Sequence, residues 1–283
     1  MSWNPKLAIH TWTLDTTPLE YALTAAKNAG WDAVELRRID FERCYERGMS
    51  NEDVLQLIKG SGISVCTLGV KYGWLFAKGV ERQKLFEIFE LTCANAVALG
   101  CPQVMSAPGP LEGHLDDAAE ALHEAGEIAS AHGLGLAIEF NSQHPVLNSV
   151  AALAYLINKA SHPSCGYLLD AYHLHRSGNP GRGFEQVPAH QMVAFQYSDC
   201  SATPVTGVKR PTDRLPPGEG MVDWNGVLGL LADKNYPGYL TYESPNPAQW
   251  SRDPDVVAAE GLLATRKLLN TAAQARQHET SVL

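Results

Sequence analysis

The chain of 283 residues has no Cys-x-x-Cys pair, and its cysteines (Cys44, Cys66, Cys93, Cys101, Cys165 and Cys200) are scattered. Several sit in apolar runs, which reads as reduced thiols in a cytosolic protein rather than a disulfide framework. No apolar run approaches the roughly 18 residues that a membrane span needs, so no membrane partner is expected. The opening stretch, MSWNPKLAIHTW, lacks a basic region followed by an apolar one. No signal peptide is therefore expected, and a cytoplasmic location is. Positive charge is scarce: 22 Lys and Arg stand against 31 Asp and Glu, a net charge of −9. Such a surface repels a phosphate backbone, which argues against nucleic acid as a partner. There is no G-x-S-x-G, no P-loop, and no H-E-x-x-H spacing among His123, Glu124 and His132.

What is present is one alternation repeated along the chain. Strand-like runs are read at Leu7–Trp12, Ala33–Arg37, Ser64–Leu68, Val104–Ala107, Leu136–Asn141, Tyr167–Ala171, Val193–Ser198 and Tyr239–Ser244. Amphipathic helix-like stretches fall between them, at Pro18–Ala29, Asn51–Lys59, Arg82–Leu99, Asp116–His132, Ser149–Lys159, Asp223–Lys234 and Pro254–Ala275. The segment Gly183–His190 is weakly helical at best. Eight such units of roughly 34 residues predict an α/β fold, a single (β/α)₈ TIM-barrel domain over residues 1–283. The competing doubly wound sheet would carry a Gly-rich phosphate loop after its first strand, and here that strand ends in His10-Thr11-Trp12-Thr13.

Four consecutive strands of the second half end in residues that can offer oxygen to a metal: Glu139, Asp170, Gln196 and Glu243. A barrel gathers such ends at one mouth, where its chemistry sits. One carboxylate at a strand end is ordinarily a solvated loop residue. Three with a glutamine would repel each other unless a cation supplied counter-charge.

Ile138-Glu139-Phe140-Asn141, Leu169-Asp170-Ala171-Tyr172-His173, Gln196-Tyr197-Ser198-Asp199, Asp213-Arg214-Leu215-Pro216-Pro217-Gly218-Glu219-Gly220 and Tyr242-Glu243 together resemble the xylose isomerase-like TIM barrels. That family includes sugar phosphate isomerases and epimerases, inosose-processing enzymes and the endonuclease IV branch. The resemblance covers nearly the whole chain. It implies Glu139, Asp170, Gln196 and Glu243 as metal ligands, His173 as a substrate-contacting or proton-handling residue, and Arg214 as a substrate-binding cation. Most members carry His where this chain has Gln196; glutamine resembles the 3-dehydroshikimate dehydratase branch. An all-oxygen site favours Mg²⁺ or Mn²⁺, with Co²⁺ or Zn²⁺ ranked below. The endonuclease branch would need histidines at the third and fourth strand ends, which read Thr67-Leu68-Gly69 and Met105-Ser106-Ala107.

The function this implies is a metal-dependent isomerase or epimerase of a small sugar, ketose or sugar derivative, working through a metal-stabilised enediolate. Glu139, Glu243 and His173 are the expected catalytic residues. A lyase of the 3-dehydroshikimate dehydratase type and a non-catalytic accessory subunit with a retained barrel are the alternatives. His10 and Trp12, which end the first strand, and Lys71, Arg210 and Arg214 are expected to bind substrate; cations over the mouth suit a phosphate or carboxylate. The loop Gly69–Gly79 offers Tyr72, Trp74 and Phe76 either to a sugar or to the barrel rim. Arg37 and Arg38 are further candidates, or partners of Glu35 or Glu42. Homo-oligomers are common in the family.

Overall fold

The computed structural model describes residues 3–203 and 205–282. Eight parallel strands close into a barrel: β1 (Lys6–His10), β2 (Ala33–Leu36), β3 (Ser64–Gly69), β4 (Gln103–Ser106), β5 (Gly135–Glu139), β6 (Cys165–Asp170), β7 (Met192–Tyr197) and, after a short hairpin, β10 (Tyr239–Tyr242). The hairpin strands β8 (Asp199–Cys200) and β9 (Arg214–Leu215) pair antiparallel outside the barrel. Helices run between the strands: α1 (Leu19–Ala29), α2 (Arg38–Glu46), α3 (Asn51–Ser61), α4 (Gly79–Ala98), α5 (Leu115–Ala131), α6 (Val150–Ala160), α7 (Ala171–Arg176), α8 (Trp224–Asp233), α9 (Pro247–Trp250) and α10 (Pro254–Val282). Among the described residues no helix is long and apolar enough to cross a membrane.

The expected elements are present, with ends moved by a few residues. The first strand stops at His10, where the chain turns into a 3₁₀ helix, Thr11–Leu14, whose first turn is capped by the His10 ring. Three helices lie outside the expected stretches: α2, α7 and the one-turn α9, which Asn246 caps. Helix α2 starts directly after β2, in a stretch of low apolar content, and is started by Asp40, whose carboxylate accepts the Arg37 amide. Helix α7 starts directly after β6, capped by Asp170. Gly183–His190 forms turns, with a 3₁₀ helix only at its end, Ala189–Gln191.

Side chains alternate across each strand. Outward residues such as Ile9, Val34, Leu36, Ile138, Leu169, Phe195 and Tyr242 join the large core between sheet and helices. The inward positions low in the barrel are small or apolar: Ala8, Ala33, Ala137, Leu168 and Ala194. Two residues further toward the C-terminal mouth, the same inward rows carry His10, Glu35, Glu139, Asp170 and Gln196, and the β10 row continues from Thr241 to Glu243. The barrel is apolar at its waist and ionisable at its mouth.

Asp199, just past β7, fastens the long loop that follows it. Its oxygens accept the amides of Cys200 (3.0 Å), Gly218 (2.9 Å) and Val222 (2.9 Å) and the indole of Trp224 (2.9 Å). Replacing it leaves buried donors without an acceptor, at a cost of about 1–3 kcal/mol each. Asp199→Ala is expected to lower the melting temperature and open residues 201–221 to proteolysis; unchanged Tm and cleavage would show that the loop holds itself.

Candidate active site

Seven side chains from six barrel strands and the segments that follow them meet at the mouth, all of them buried: His10, Glu35, Glu139, Asp170, His173, Gln196 and Glu243. An eighth, Arg214, enters from β9 and is 1% exposed. Asp170 and Gln196 are register partners on β6 and β7, and Gln196 and Thr241 on β7 and β10. Backbone pairing therefore sets the spacing of the second half of the site.

Asp170 both faces the mouth and starts α7. Its Oδ1 accepts the Tyr172 amide at 2.7 Å, and the helix then brings His173, one turn on, back over the same carboxylate. Ligand atoms of Glu139, Asp170 and His173 all lie within 4.8 Å of one another, a spacing open to a metal ion. His173 Nδ1 is 3.0 Å from Ser142 Oγ, and its Nε2 is 3.3 Å from Arg214 Nη2 and 3.8 Å from Glu139 Oε1. Burial pushes its pKa down to about 3, so the ring is neutral.

Arg214 lies inside the cluster rather than on the loop surface. Its Nη1 donates to Asp170 Oδ2, to Ser198 Oγ and to the Glu243 carbonyl, and lies 3.0 Å from Glu243 Oε2. The guanidinium stacks on Tyr172 at 4.5 Å. It holds the Asp170 carboxyl below its ordinary value despite burial.

One guanidinium does not satisfy four carboxyl groups. Burial pushes Glu35 up to about 7 and Glu243 to about 8; Glu139 is also raised well above its ordinary value, by burial and then by the charges of Glu243 and Asp170. Polar atoms are left over as well: Glu139 Oε1, Gln196 Oε1 and Glu35 Oε2 are buried without a hydrogen-bond partner, and Glu243 Oε2 has the ion-pair contact with Arg214 but no hydrogen bond. His10 Nδ1 accepts the Trp12 amide, so the proton of the neutral ring sits on Nε2. That nitrogen faces Glu243 Oε1 at 3.4 Å and Glu35 Oε1 at 3.8 Å.

Glu35 was read only as a partner for an arginine. Its signal was available: in Ala33-Val34-Glu35-Leu36 it shares the inward row with Ala33, opposite to Val34 and Leu36. Of the remaining expected substrate contacts, Trp12 is half-buried and joins the cluster through its backbone. Lys71 is engaged by Glu42 at 2.9 Å, and Arg210 lies 3.7 Å from Asp213. Arg37 is paired with Asp15 and Asp40. In the loop Gly69–Gly79, Trp74 donates to Ser106 and Phe76 stacks on His144, so both pack on the rim. Tyr72 is the ring that feels the cluster: its pKa is raised by burial and then by Glu139, Glu243 and Glu35.

Comparison with known proteins agrees with this architecture. Over 263 residues the chain is 22% identical to an inosose isomerase of Halalkalibacterium halodurans, covering 90% of this chain and 91% of that protein. It is 27% identical over 273 residues to a 3-dehydroshikimate dehydratase of Pseudomonas putida, covering 90% of this chain but 40% of that longer protein. A crystal structure of an IolI protein with a bound zinc atom superposes with a TM-score of 0.83 at 19% identity, covering 94% of this chain and 99% of that one. Residues 23–268 match the family model described as xylose isomerase-like TIM barrel, and the chain belongs to that family.

Proposed function

We propose that the chain is a divalent-cation-dependent isomerase or epimerase of a small sugar or sugar derivative, with Glu139, Asp170, Gln196 and Glu243 holding the cation. The observation that carries this is the pair of buried oxygens without partners, on Glu139 and Gln196, in a cluster where Asp170 and Glu243 share the one guanidinium of Arg214. Buried unpaired acceptors cost free energy that a cation recovers. The ligand set is all oxygen, which suits Mg²⁺ or Mn²⁺; His173, beside Glu139 and Asp170, is the nitrogen that a softer cation would draw in. The similarity to inosose isomerases and the zinc in the IolI structure support the same reading.

A bound cation supplies Lewis-acid polarisation of a substrate carbonyl, which makes the neighbouring C–H acidic. The chain's own residues then handle the proton. Glu139 and Glu243 stand on strands three apart in the ring, so they reach a substrate from different sides. One takes the proton from carbon and the other returns one, which gives epimerisation; return to the neighbouring carbon gives isomerisation. Neutral His173, steadied by Ser142, exchanges the oxygen-bound proton. Arg214 fixes the Asp170 and Glu243 carboxylates, and Tyr72 covers the mouth.

A second reading is favoured by Gln196 and by the similarity to the 3-dehydroshikimate dehydratase. The same deprotonation, followed by departure of a β-hydroxyl group as water, is a dehydration.

Chelator-treated enzyme is expected to lose turnover and regain it with Mn²⁺ or Mg²⁺. With ketohexoses or inososes in D₂O, deuterium should enter carbon; with 3-dehydroshikimate, growth of a catechol absorbance would establish the lyase instead. Failure to bind any divalent cation would leave only the accessory-subunit reading. Glu139→Gln and Glu243→Gln should each slow turnover by about 10²-fold or more, since positioned proton-transfer groups contribute ~10²–10⁴. A variant with full rate removes that residue from the mechanism.

Cation-free protein should also show a defined pH dependence. Glu35 and Glu243 titrate near 7 and 8 in the fold against 4.5 ordinarily, so the fold binds extra protons and its stability falls as pH rises through those values. His10 and His173, depressed from 6.5, act in the opposite direction, but only below that value. The Tm of chelated protein should therefore fall between about pH 6.5 and 8.5. Glu243→Gln should flatten that slope, and Mn²⁺ should oppose it by displacing the same protons. A Tm that is flat over this range in the chelated wild type would contradict the protonated cluster.

A further inference from the structure

Glu35 is the carboxylate of the cluster that the proposed ligand set leaves unused. It stands on β2 and accepts a hydrogen bond from Gln196 Nε2, on β7, at 2.8 Å. The two strands are three apart in the ring, so the bond crosses the inside of the barrel. Both residues are 0% exposed, which leaves no bulk water to take over either end.

A primary amide has an accepting and a donating branch of nearly equal size. Nothing in the shape of Gln196 decides which branch faces the mouth. The Glu35 oxygen that faces Gln196, Oε1, accepts whether the carboxyl is ionised or carries its proton on Oε2, so Glu35 draws the NH₂ branch toward itself. The amide oxygen is thereby turned away from Glu35, and it is buried there without a partner. The reversed amide would set oxygen against oxygen at hydrogen-bond distance inside a dry site. Glu35 is itself held: it is in register with His10 and Thr67 on its neighbouring strands.

We propose that Glu35 is the positioning residue that makes Gln196 an oxygen donor to the cation. This rests on the ligand set proposed above. When Glu35 is ionised, its negative charge behind the NH₂ branch also polarises the amide toward its oxygen, which strengthens a hard ligand. Partners behind metal ligands typically alter affinity by about 10–100-fold.

The test is Mn²⁺ affinity, read from the electron paramagnetic resonance signal of free Mn²⁺, with full-length protein and no substrate. The variants are Glu35→Met, Glu35→Gln, Gln196→Leu and the Glu35→Met/Gln196→Leu pair. Glu35→Met should weaken Mn²⁺ binding by about 10–100-fold. Glu35→Gln keeps an accepting oxygen and should rescue binding to within about threefold of wild type. The double variant should bind no worse than Gln196→Leu by more than about twofold, because the Glu35 effect passes through Gln196. Wild-type affinity in Glu35→Met, or losses that multiply in the double variant, would overturn the assignment.

A second measurement does not depend on Glu35→Met folding. In protein labelled with ¹⁵N-glutamine, the side-chain NH₂ of Gln196, identified by its loss in Gln196→Leu, should be protected from exchange with water. Rapid exchange would overturn the inference. If wild type binds no Mn²⁺, the ligand set itself fails and takes this inference with it. That result is distinct from wild-type binding that Glu35→Met leaves intact.

Discussion

Like charge confined in a dry space governs the mouth of this barrel. Glu35, Glu139, Asp170 and Glu243 are all buried there, and the guanidinium of Arg214 contacts two of them, Asp170 and Glu243. The protein can keep such a group only by protonating part of it or by admitting a cation. Both responses are visible in the chain's own atoms. Glu35, Glu139 and Glu243 are driven toward the protonated form, while Asp170, gripped by Arg214, is driven the other way. Two histidines beside them are neutral because burial and the nearby guanidinium oppose a second positive charge. The cluster is thus a set of acids and bases sorted by environment, the condition that proton-transfer chemistry needs.

The scaffold that delivers the counter-charge is the long excursion between β7 and β10. Its return leg pairs Arg214 with Cys200 across the β8–β9 hairpin. Asp199, adjacent to Cys200, ties the far end of the loop to the barrel through four hydrogen bonds. A buried guanidinium is costly to place, and a loop fixed at both ends places it against Asp170 without relying on the flexibility of the side chain. The interval of 47 positions from Gln196 to Glu243 holds this detour together with α8 and β10.

The barrel was legible because its signal is periodic. The eight strand-like runs and the seven one-sided helical stretches all appear in the fold, with their ends moved. The second half of the site was legible for the same reason: Glu139, Asp170 and Gln196 stand on the inward parity of strands whose outward residues are Ile138, Leu169 and Phe195. Glu35 obeys that parity too, but β2 is only four residues long and is followed by charges, so it reads as the start of a polar loop. Helices α2 and α7 escaped notice because their first turns are started by Asp40 and Asp170 rather than by an amphipathic pattern. The positions of Lys71 and Arg210 depend on which acids the loops bring near, and no local pattern encodes that.

Gln196 and Glu35 connect these themes. The family resemblance leads one to expect an imidazole at the Gln196 position, and an imidazole has one nitrogen to offer and one N–H to place. The amide has the same division, with oxygen on one branch and N–H on the other. In either case a carboxylate behind the ligand accepts the N–H and directs the electron-rich atom to the mouth. Under the proposed ligand set, the exchange of nitrogen for oxygen would favour a harder cation, and His173, beside Glu139, would be left to move a proton.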